Sequence, residues 1–227
     1  MKNIAVIVAM DKEFAQLSSL LTDKKDVSEG CFRYVMGKLE DKTIVLHKCG
    51  IGKVNAAVGA TQLVNKFHPE CIISSGCAGG IDSTLKVMDV VVSKTAIYHD
   101  AYTGFEGEGA DIEQTFAADS YLVNKAEELA KVSSTHIHMG QICTGDQFIT
   151  DKAKLETIKQ ARPEGLAVDM ESAAIAQTCK ILSVPFISFR IISDTIGAEF
   201  HFEEYKNFWE EMAEHSFSVI YHYIESL

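Results

Sequence analysis

The sequence predicts an α/β fold, because short runs rich in Val, Ile and Phe alternate with helical patterns and the runs are apolar almost throughout. Strands of that character are buried on both faces, so helices must cover a central sheet on either side. At 227 residues and 47% hydrophobic composition, the chain can bury a sizeable core. It has three prolines, no fixed-period repeat and no Ser/Gly-rich or like-charge tract, so residues 1–227 are expected to form one domain.

The first apolar run covers residues 4–9 and ends in Asp11-Lys12-Glu13. It is too short for a secretory signal and lacks a small-residue cleavage pattern, which leaves a buried first strand. Runs at 32–37 and 43–46 flank the polar turn Glu40-Asp41-Lys42 and predict a hairpin, a departure from a purely doubly wound order. Lys53–Phe67 carries Val54, Ala57, Val58, Thr61, Val64 and Phe67 at helical spacing and stops at His68-Pro69. Further strands are predicted at 71–74, 90–93, 137–143, 166–168 and 185–192. Tyr205, Phe208, Trp209, Met212, Val219, Ile220 and Tyr223 then mark a long C-terminal helix whose aromatic stripe is a packing surface.

Composition excludes several functions. The formal net charge of -11 opposes phosphate backbones and anionic lipid surfaces, and no basic cluster offsets it, so neither nucleic acid nor membrane is expected as a partner. No apolar run approaches the roughly 20 residues of a membrane span. Six cysteines, Cys31, Cys49, Cys71, Cys77, Cys143 and Cys179, form no C-x-x-C and sit mostly in apolar runs. They read as reduced, largely buried thiols of a cytoplasmic protein.

Two glycine clusters invite a phosphate-binding reading. Cys49-Gly-Ile-Gly-Lys-Val54 fails as a P-loop, since His47 stands where the first Gly belongs and Val54 where a hydroxyl belongs. It fails as a dinucleotide fingerprint too, because Asn55 replaces the third Gly. A tight strand-to-helix turn that lets backbone approach a ligand remains. Ser74-Ser-Gly-Cys-Ala-Gly-Gly80 follows a predicted strand and reads either as a simple turn or as a second close-approach segment.

The acids are more informative. Asp11 can cap the first helix. Glu13 then lacks a structural role unless it is a solvated first-turn residue favoured by the helix dipole. In the stretch Gly165-Leu-Ala-Val-Asp-Met-Glu-Ser-Ala, a helix starting near Met170 makes Asp169 its N-cap and leaves Glu171 in the first turn, kept anionic by the dipole. Asp194 ends the last predicted strand, and ligands gather at the carboxyl ends of strands in open α/β sheets. Arg190, inside that strand, requires an anionic partner, which a structural ion pair would supply.

Seven motifs in order then carry a resemblance. Ala9-Met-Asp-Lys-Glu13, Gly50-Ile-Gly-Lys53, Ser75-Gly-Cys-Ala-Gly-Gly80, Tyr98-His-Asp100, Thr144-Gly-Asp-Gln-Phe-Ile149, Val168-Asp-Met-Glu171 and Arg190-Ile-Ile-Ser-Asp194 resemble the 5′-methylthioadenosine/S-adenosylhomocysteine nucleosidase family over nearly the whole chain. The resemblance implies a purine nucleoside phosphorylase-like fold, a mixed central sheet surrounded by helices, and a homodimer. It implies hydrolysis of 5′-substituted adenosines to adenine. Glu13 is then the general base that activates water, and Asp194 passes a proton toward adenine N7. Glu171 grips the ribose hydroxyls and stabilises an oxocarbenium-like transition state. Met170 packs on the sugar, Phe148 stacks on the base, Ile149 reads the adenine edge through its backbone, and Met10 and Ile51 line the 5′ pocket. Cys77, Ala78, Gly79, Arg190 and Ser193 complete the binding set, with Phe202 closing the pocket.

Under that resemblance Asp194 must be protonated and Glu13 ionised, so their environments should differ. Three other functions share the fold or the pocket. Aminodeoxyfutalosine hydrolysis in menaquinone synthesis differs only in the 5′ substituent. A phosphorylase must hold a phosphate dianion, yet Glu13 and Ser74-Ser75 stand where its relatives carry arginines. A nucleoside sensor without turnover needs no water-activating Glu13. The chain departs from the family pattern at Cys77, usually Ser, and over 101–118, where relatives have a longer, proline-bearing loop that reaches the partner's pocket; Tyr102 and Phe105 would do that here. His99-Asp100 and His136-x-His138 contain zinc-ligand types, but their spacing supplies no third ligand, so no metal is expected. Nor is an organic cofactor, since water and two protonatable groups complete the chemistry.

Overall fold

In the computed structural model, which describes residues 1–101, 115–196, 205, 208 and 217–227, the apolar runs become strands. These are β1 (Asn3–Val8), β2 (Thr22–Glu29), β3 (Phe32–Leu39), β4 (Lys42–Lys48), β5 (Cys71–Gly80), β6 (Val90–Tyr98), β7 (Thr115–Ala117), β8 (Ile137–Thr144), β9 (Gly165–Asp169) and β10 (Phe186–Thr195). Helices α1 (Asp11–Ser19), α2 (Lys53–Phe67), α3 (Ser120–Ala130), α4 (Lys152–Ala161), α5 (Ser172–Ile181) and α6 (Phe217–Ser226) surround them.

The strands form one mixed sheet in the order β10-β6-β8-β9-β5-β1-β4-β3-β2, with β7 beside β6. A further pairing of β10 with β5 closes β5, β9, β8, β6 and β10 into a ring. β5 makes this possible by changing neighbours along its length. Residues 71–74 pair with β1, while Gly79 and Gly80 pair with β9. β1 shows why its sequence is apolar throughout. Ile4, Val6 and Val8 join one core layer with Leu17 of α1 and Ile220 of α6, whereas Ala5 and Ile7 join another with Ala60 and Leu63 of α2. Both faces are covered, and each fully buried Ile contributes roughly 1.5–3 kcal/mol.

The structure departs from the sequence reading in several elements, and β7, α3 and α4 are additions to it. The glycine-rich stretch 75–80 is strand, not a turn after one, since β10 pairs with it as far as Gly80. β2 was not expected, because Thr22-Asp-Lys-Lys-Asp-Val-Ser-Glu29 has no apolar alternation; among the described residues it is an exposed edge that pairs only with β3. α5 starts at Ser172, not near Met170. The hairpin of β3 and β4 and the bounds of α2 follow the expectation. Of the C-terminal stripe, Phe208, Val219, Ile220 and Tyr223 are buried; Trp209 and Met212 lie outside the described residues.

Candidate active site

The chain leaves β1 at Val8 and enters α1 at Asp11, with Met10 as N-cap. Asp11, expected to cap this helix, is instead its first residue and pairs with Lys48. Glu13 at the third position has the reach to do the capping. Its Oε2 accepts from the backbone N–H of Ala9 at 3.0 Å and of Met10 at 2.9 Å, and its Oε1 accepts from Cys77 N–H of β5 at 3.1 Å. A structural role therefore exists for Glu13 alongside any chemical one. Burial raises its pKa, and Arg190 together with the three N–H donors offsets only part of that rise.

Asp194 reaches the same place from β10. A bulge between Ile192 and Asp194 shifts the register with β5, and both Ser193 and Asp194 then face the cavity. The Ser193 hydroxyl donates to Asp194 Oδ1 at 2.7 Å.

Glu171 arrives from the turn between β9 and α5, where it is the N-cap residue. Asp169, expected as that cap, sits two residues earlier, yet its side chain still holds the helix start. Oδ2 accepts from Ser172 N–H at 2.9 Å and from Arg190 Nε at 2.8 Å, and Oδ1 accepts from the Thr144 hydroxyl. Glu171 Oε1 accepts from Gly52 N–H at 2.9 Å. The expectation that the dipole keeps Glu171 firmly anionic is not met. Burial, then the nearby Asp169 carboxylate, push its pKa up to about 7 against the opposing pull of Arg190 and the Gly52 N–H.

Arg190, expected among the substrate-binding residues, does not line the cavity. It lies beneath it at 2% exposure, with Nη2 donating to Ser74 Oγ at 3.0 Å and standing 3.8 Å from Glu171 Oε2. Its anionic partner is Asp169, as a buried guanidinium requires. Interaction with these carboxylates outweighs burial and raises its pKa further.

The three acids open onto one cavity of about 420 Å³, in the range of small-molecule sites. Met10, Ile51, Cys77, Ala78 and Gly79 line it on one side. Phe148, Ile149, Met170 and Ser193 line it elsewhere, so every predicted site residue within the described structure is a wall residue except Arg190. Phe202, Tyr102 and Phe105 lie outside the described residues. Sequence reasoning missed five wall residues, Ala9, Gln147, Val168, Asp169 and Tyr205. The first four lie inside the motifs that carry the resemblance, while Tyr205 belongs to the aromatic stripe expected to be packing surface. Its ring meets Phe148 edge-on at 5.2 Å, and its hydroxyl is 3.7 Å from Met10 Sδ.

Four carboxylates, those of Glu13, Asp169, Glu171 and Asp194, line the cavity, and among the described residues no Lys, Arg or His does. Such a site suits proton transfer and stabilisation of developing positive charge, and it repels an anion. The H-x-H pair turns both rings toward Asp89, at 3.0 Å for His138 and 3.6 Å for His136. Among the described residues no three His, Cys, Asp or Glu side chains gather as metal ligands.

The model of the phosphorylase superfamily matches residues 3–225. The 5′-methylthioadenosine/S-adenosylhomocysteine nucleosidase of Marinomonas sp. (strain MWYL1) is 42% identical over 212 residues, covering 90% of this chain and 92% of that one. The enzyme of the same description from Staphylococcus haemolyticus (strain JCSC1435) is 40% identical and covers 96% of each chain. Among solved structures, the nucleosidase from Neisseria meningitidis in complex with methylthio-immucillin-A superposes with a TM-score of 0.91 at 34% identity over 100% of both chains. The nucleosidase from Colwellia psychrerythraea 34H in complex with adenine gives a TM-score of 0.90 at 31% identity, over 100% of this chain and 96% of that one. By sequence and by fold, the chain belongs to the phosphorylase superfamily and, within it, to the 5′-methylthioadenosine/S-adenosylhomocysteine nucleosidase family.

Proposed function

We propose that the protein is an N-ribosyl hydrolase that cleaves the N-glycosidic bond of 5′-methylthioadenosine, S-adenosylhomocysteine and related 5′-substituted adenosines, releasing adenine and the 5′-substituted ribose. The observation that carries this reading is the opening of Glu13, Glu171 and Asp194, from three separate strand ends, onto one cavity with otherwise mainly apolar walls. Glu13 takes the proton of the attacking water through Oε1, which holds one backbone donor against two on Oε2. Asp194 passes a proton to the departing adenine, with Ser193 fixing its orientation. Glu171, ionised, binds the ribose hydroxyls and faces the positive charge that develops on the sugar. Phe148 and Ile149 hold the base, Met170 the sugar, and Met10 and Ile51 the 5′ group.

Hydrolysis is favoured over phosphorolysis because a phosphate dianion would enter a carboxylate-lined cavity, while the nearby guanidinium of Arg190 is engaged by Asp169 and Ser74. Purified protein is given 5′-methylthioadenosine, S-adenosylhomocysteine and aminodeoxyfutalosine, with and without phosphate. Adenine should appear from the first two without phosphate; an obligatory phosphate requirement reverses the reading. Glu13→Gln should bind adenine and lose about 10²–10⁴-fold in kcat. Full turnover by that variant removes Glu13 from the mechanism.

The working form is a homodimer in the cytoplasm. Ile51, Val54 and Val58 make an exposed apolar stripe on one face at the start of α2, at 52%, 75% and 43% exposure, and Ile51 is also a cavity wall. A second copy covering that stripe would stand at the cavity mouth, where Tyr102 and Phe105 of the partner are expected to complete the site. Val54→Glu should yield monomer in sedimentation and raise KM; a fully active monomer defeats this part. Six free thiols, three of them buried, suit a reducing compartment.

A further inference from the structure

The roles above leave Lys53, Asp100 and Asp146 unused, although all three fall in the motifs that carry the resemblance. α2 begins at Lys53 with Gly52 as N-cap, and glycine has no side chain to satisfy the first-turn N–H groups. Asp146, 93 residues along, supplies the missing acceptor: its Oδ1 takes the Lys53 N–H at 2.8 Å. A carboxylate there also complements the helix dipole. Asp100, just past β6, grips the Lys53 ammonium with both oxygens at 2.8 and 2.9 Å, and its Oδ2 accepts from Asp146 N–H at 2.9 Å. Asp146 Oδ2 stands 3.7 Å from the same ammonium. Burial disfavours the Asp100 charge, but Lys53 and the Asp146 N–H more than offset it, so its pKa is lowered.

These contacts fasten two walls of the cavity to each other. Beside Lys53 stand Ile51 and the Gly52 N–H that holds Glu171. After Asp146 come Gln147, Phe148 and Ile149. Close approach is built in at Gly145, where an added Cβ would fall 2.3 Å from the His99 ring. The side chains of Lys53 and Asp100 are only 24% and 22% exposed, so their attraction is less screened than that of a fully solvated pair.

We infer that Asp146, Lys53 and Asp100 form a latch that holds the base-facing segment 147–149 against the ribose-facing start of α2, acting as positioning residues for nucleoside binding. The inference deepens the hydrolase reading and rests on it. A broken latch lowers the fraction of molecules whose walls are in register, and apparent affinity falls by that fraction. Once a nucleoside fills the cavity it holds the segment itself, so the loss belongs in KM rather than kcat.

Asp146→Ala should therefore raise KM for 5′-methylthioadenosine about tenfold, weaken adenine binding in calorimetry by a similar factor, and leave kcat within about threefold. Asp146→Asn keeps an acceptor for the Lys53 N–H without the charge and should recover most of the loss, to about threefold. Asp100→Asn, which leaves the helix cap intact, gives the same readout should Asp146→Ala not fold. A folded Asp146→Ala with unchanged KM and adenine affinity overturns the latch, even if its Tm is lower, and so does a loss confined to kcat. A wild-type protein that binds adenine but releases none from the nucleoside would overturn the hydrolase reading, while the adenine affinities of the variants would still decide the latch.

Discussion

Two glycine-bearing segments border the cavity and use glycine for different reasons. Gly50 and Gly52 both sit at φ +96°, a backbone that side-chain-bearing residues rarely adopt, and the turn they make aims the Gly52 N–H at Glu171. Gly76, in contrast, lies in ordinary extended strand. A Cβ there would fall 2.8 Å from Glu13 Oε1 and 3.2 Å from an Arg190 Nη atom. The first segment needs glycine for its own conformation, and the second needs it for the space of its neighbours. Each holds a different acid, so the two uses can be separated by experiment.

The largest effect is expected at Gly76. The carboxylate it would displace is tied by three backbone N–H groups and backs onto a buried guanidinium, so it cannot simply swing away. Gly76→Ala should cost about 10³-fold in kcat, close to the loss of the general base itself. A variant with wild-type turnover would show that Glu13 does not need its observed position.

This contrast also sets the limits of what the sequence discloses. A composition pattern finds both glycine clusters but cannot say which one bends, because the atoms that need the space at Gly76 come from residues 13 and 190. α2 is legible to its terminal residues because a 3.6-residue apolar period and His68-Pro69 are both local signals. β2 is not, since an exposed edge has no buried face to impose alternation. The same limit explains the acids. Their placement at strand ends suggested a site, but the assignment of Asp11 as the cap failed because Glu13, two residues on and one methylene longer, takes the Ala9 and Met10 N–H groups, which only geometry decides. Tyr205 was hidden because a stripe of aromatic residues looks alike whether a given ring faces the core or a cavity.

A second test addresses the acid held by the Gly52 turn. If Glu171 must be ionised to stabilise the transition state and its pKa in the free protein is about 7, kcat/KM should fall about tenfold per pH unit below that value, or about 10²-fold at pH 5. The stability consequence has the opposite sense. A carboxyl whose pKa is higher folded than its ordinary 4.5 binds its proton more tightly in the folded state, so its contribution to stability is lost as pH rises from about 4.5 to 7. Glu171→Gln carries no such charge. Its Tm relative to wild type should climb across that window while its turnover is lost, and a parallel pair of Tm curves would remove the raised pKa.

Gly52→Ala comes next in size. At φ 96° and ψ 162° Gly52 sits in a region essentially reserved for glycine, which costs a residue with a Cβ about 1–3 kcal/mol, and the added methyl would stand 3.1 Å from Asp146 Oδ1. Relaxing the turn moves the N–H away from Glu171 and the helix start away from Asp146. About a tenfold rise in KM and a lower Tm are expected, against the kcat loss expected at Gly76. If both variants lose kcat alone, the conformational and spatial uses of glycine are not distinct here.

The smallest effect is expected at Cys77, which lies one residue beyond Gly76 and is a cavity wall. Burial, reinforced by the Glu13 charge, pushes its thiol pKa well above the ordinary range, so the group is neutral and a poor nucleophile. It meets the acids through the backbone N–H it gives to Glu13 Oε1, and a serine would give the same bond. The sulfur also packs against the core layer that includes Val8 and Leu17, where a hydroxyl would have less to gain. Cys77→Ser should therefore change kcat/KM by no more than about threefold, because the stronger hydrogen-bonding group of serine is offset by poorer packing. A change of tenfold or more in either direction would place the side chain, and not the strand backbone, in control of the water or of Asp194.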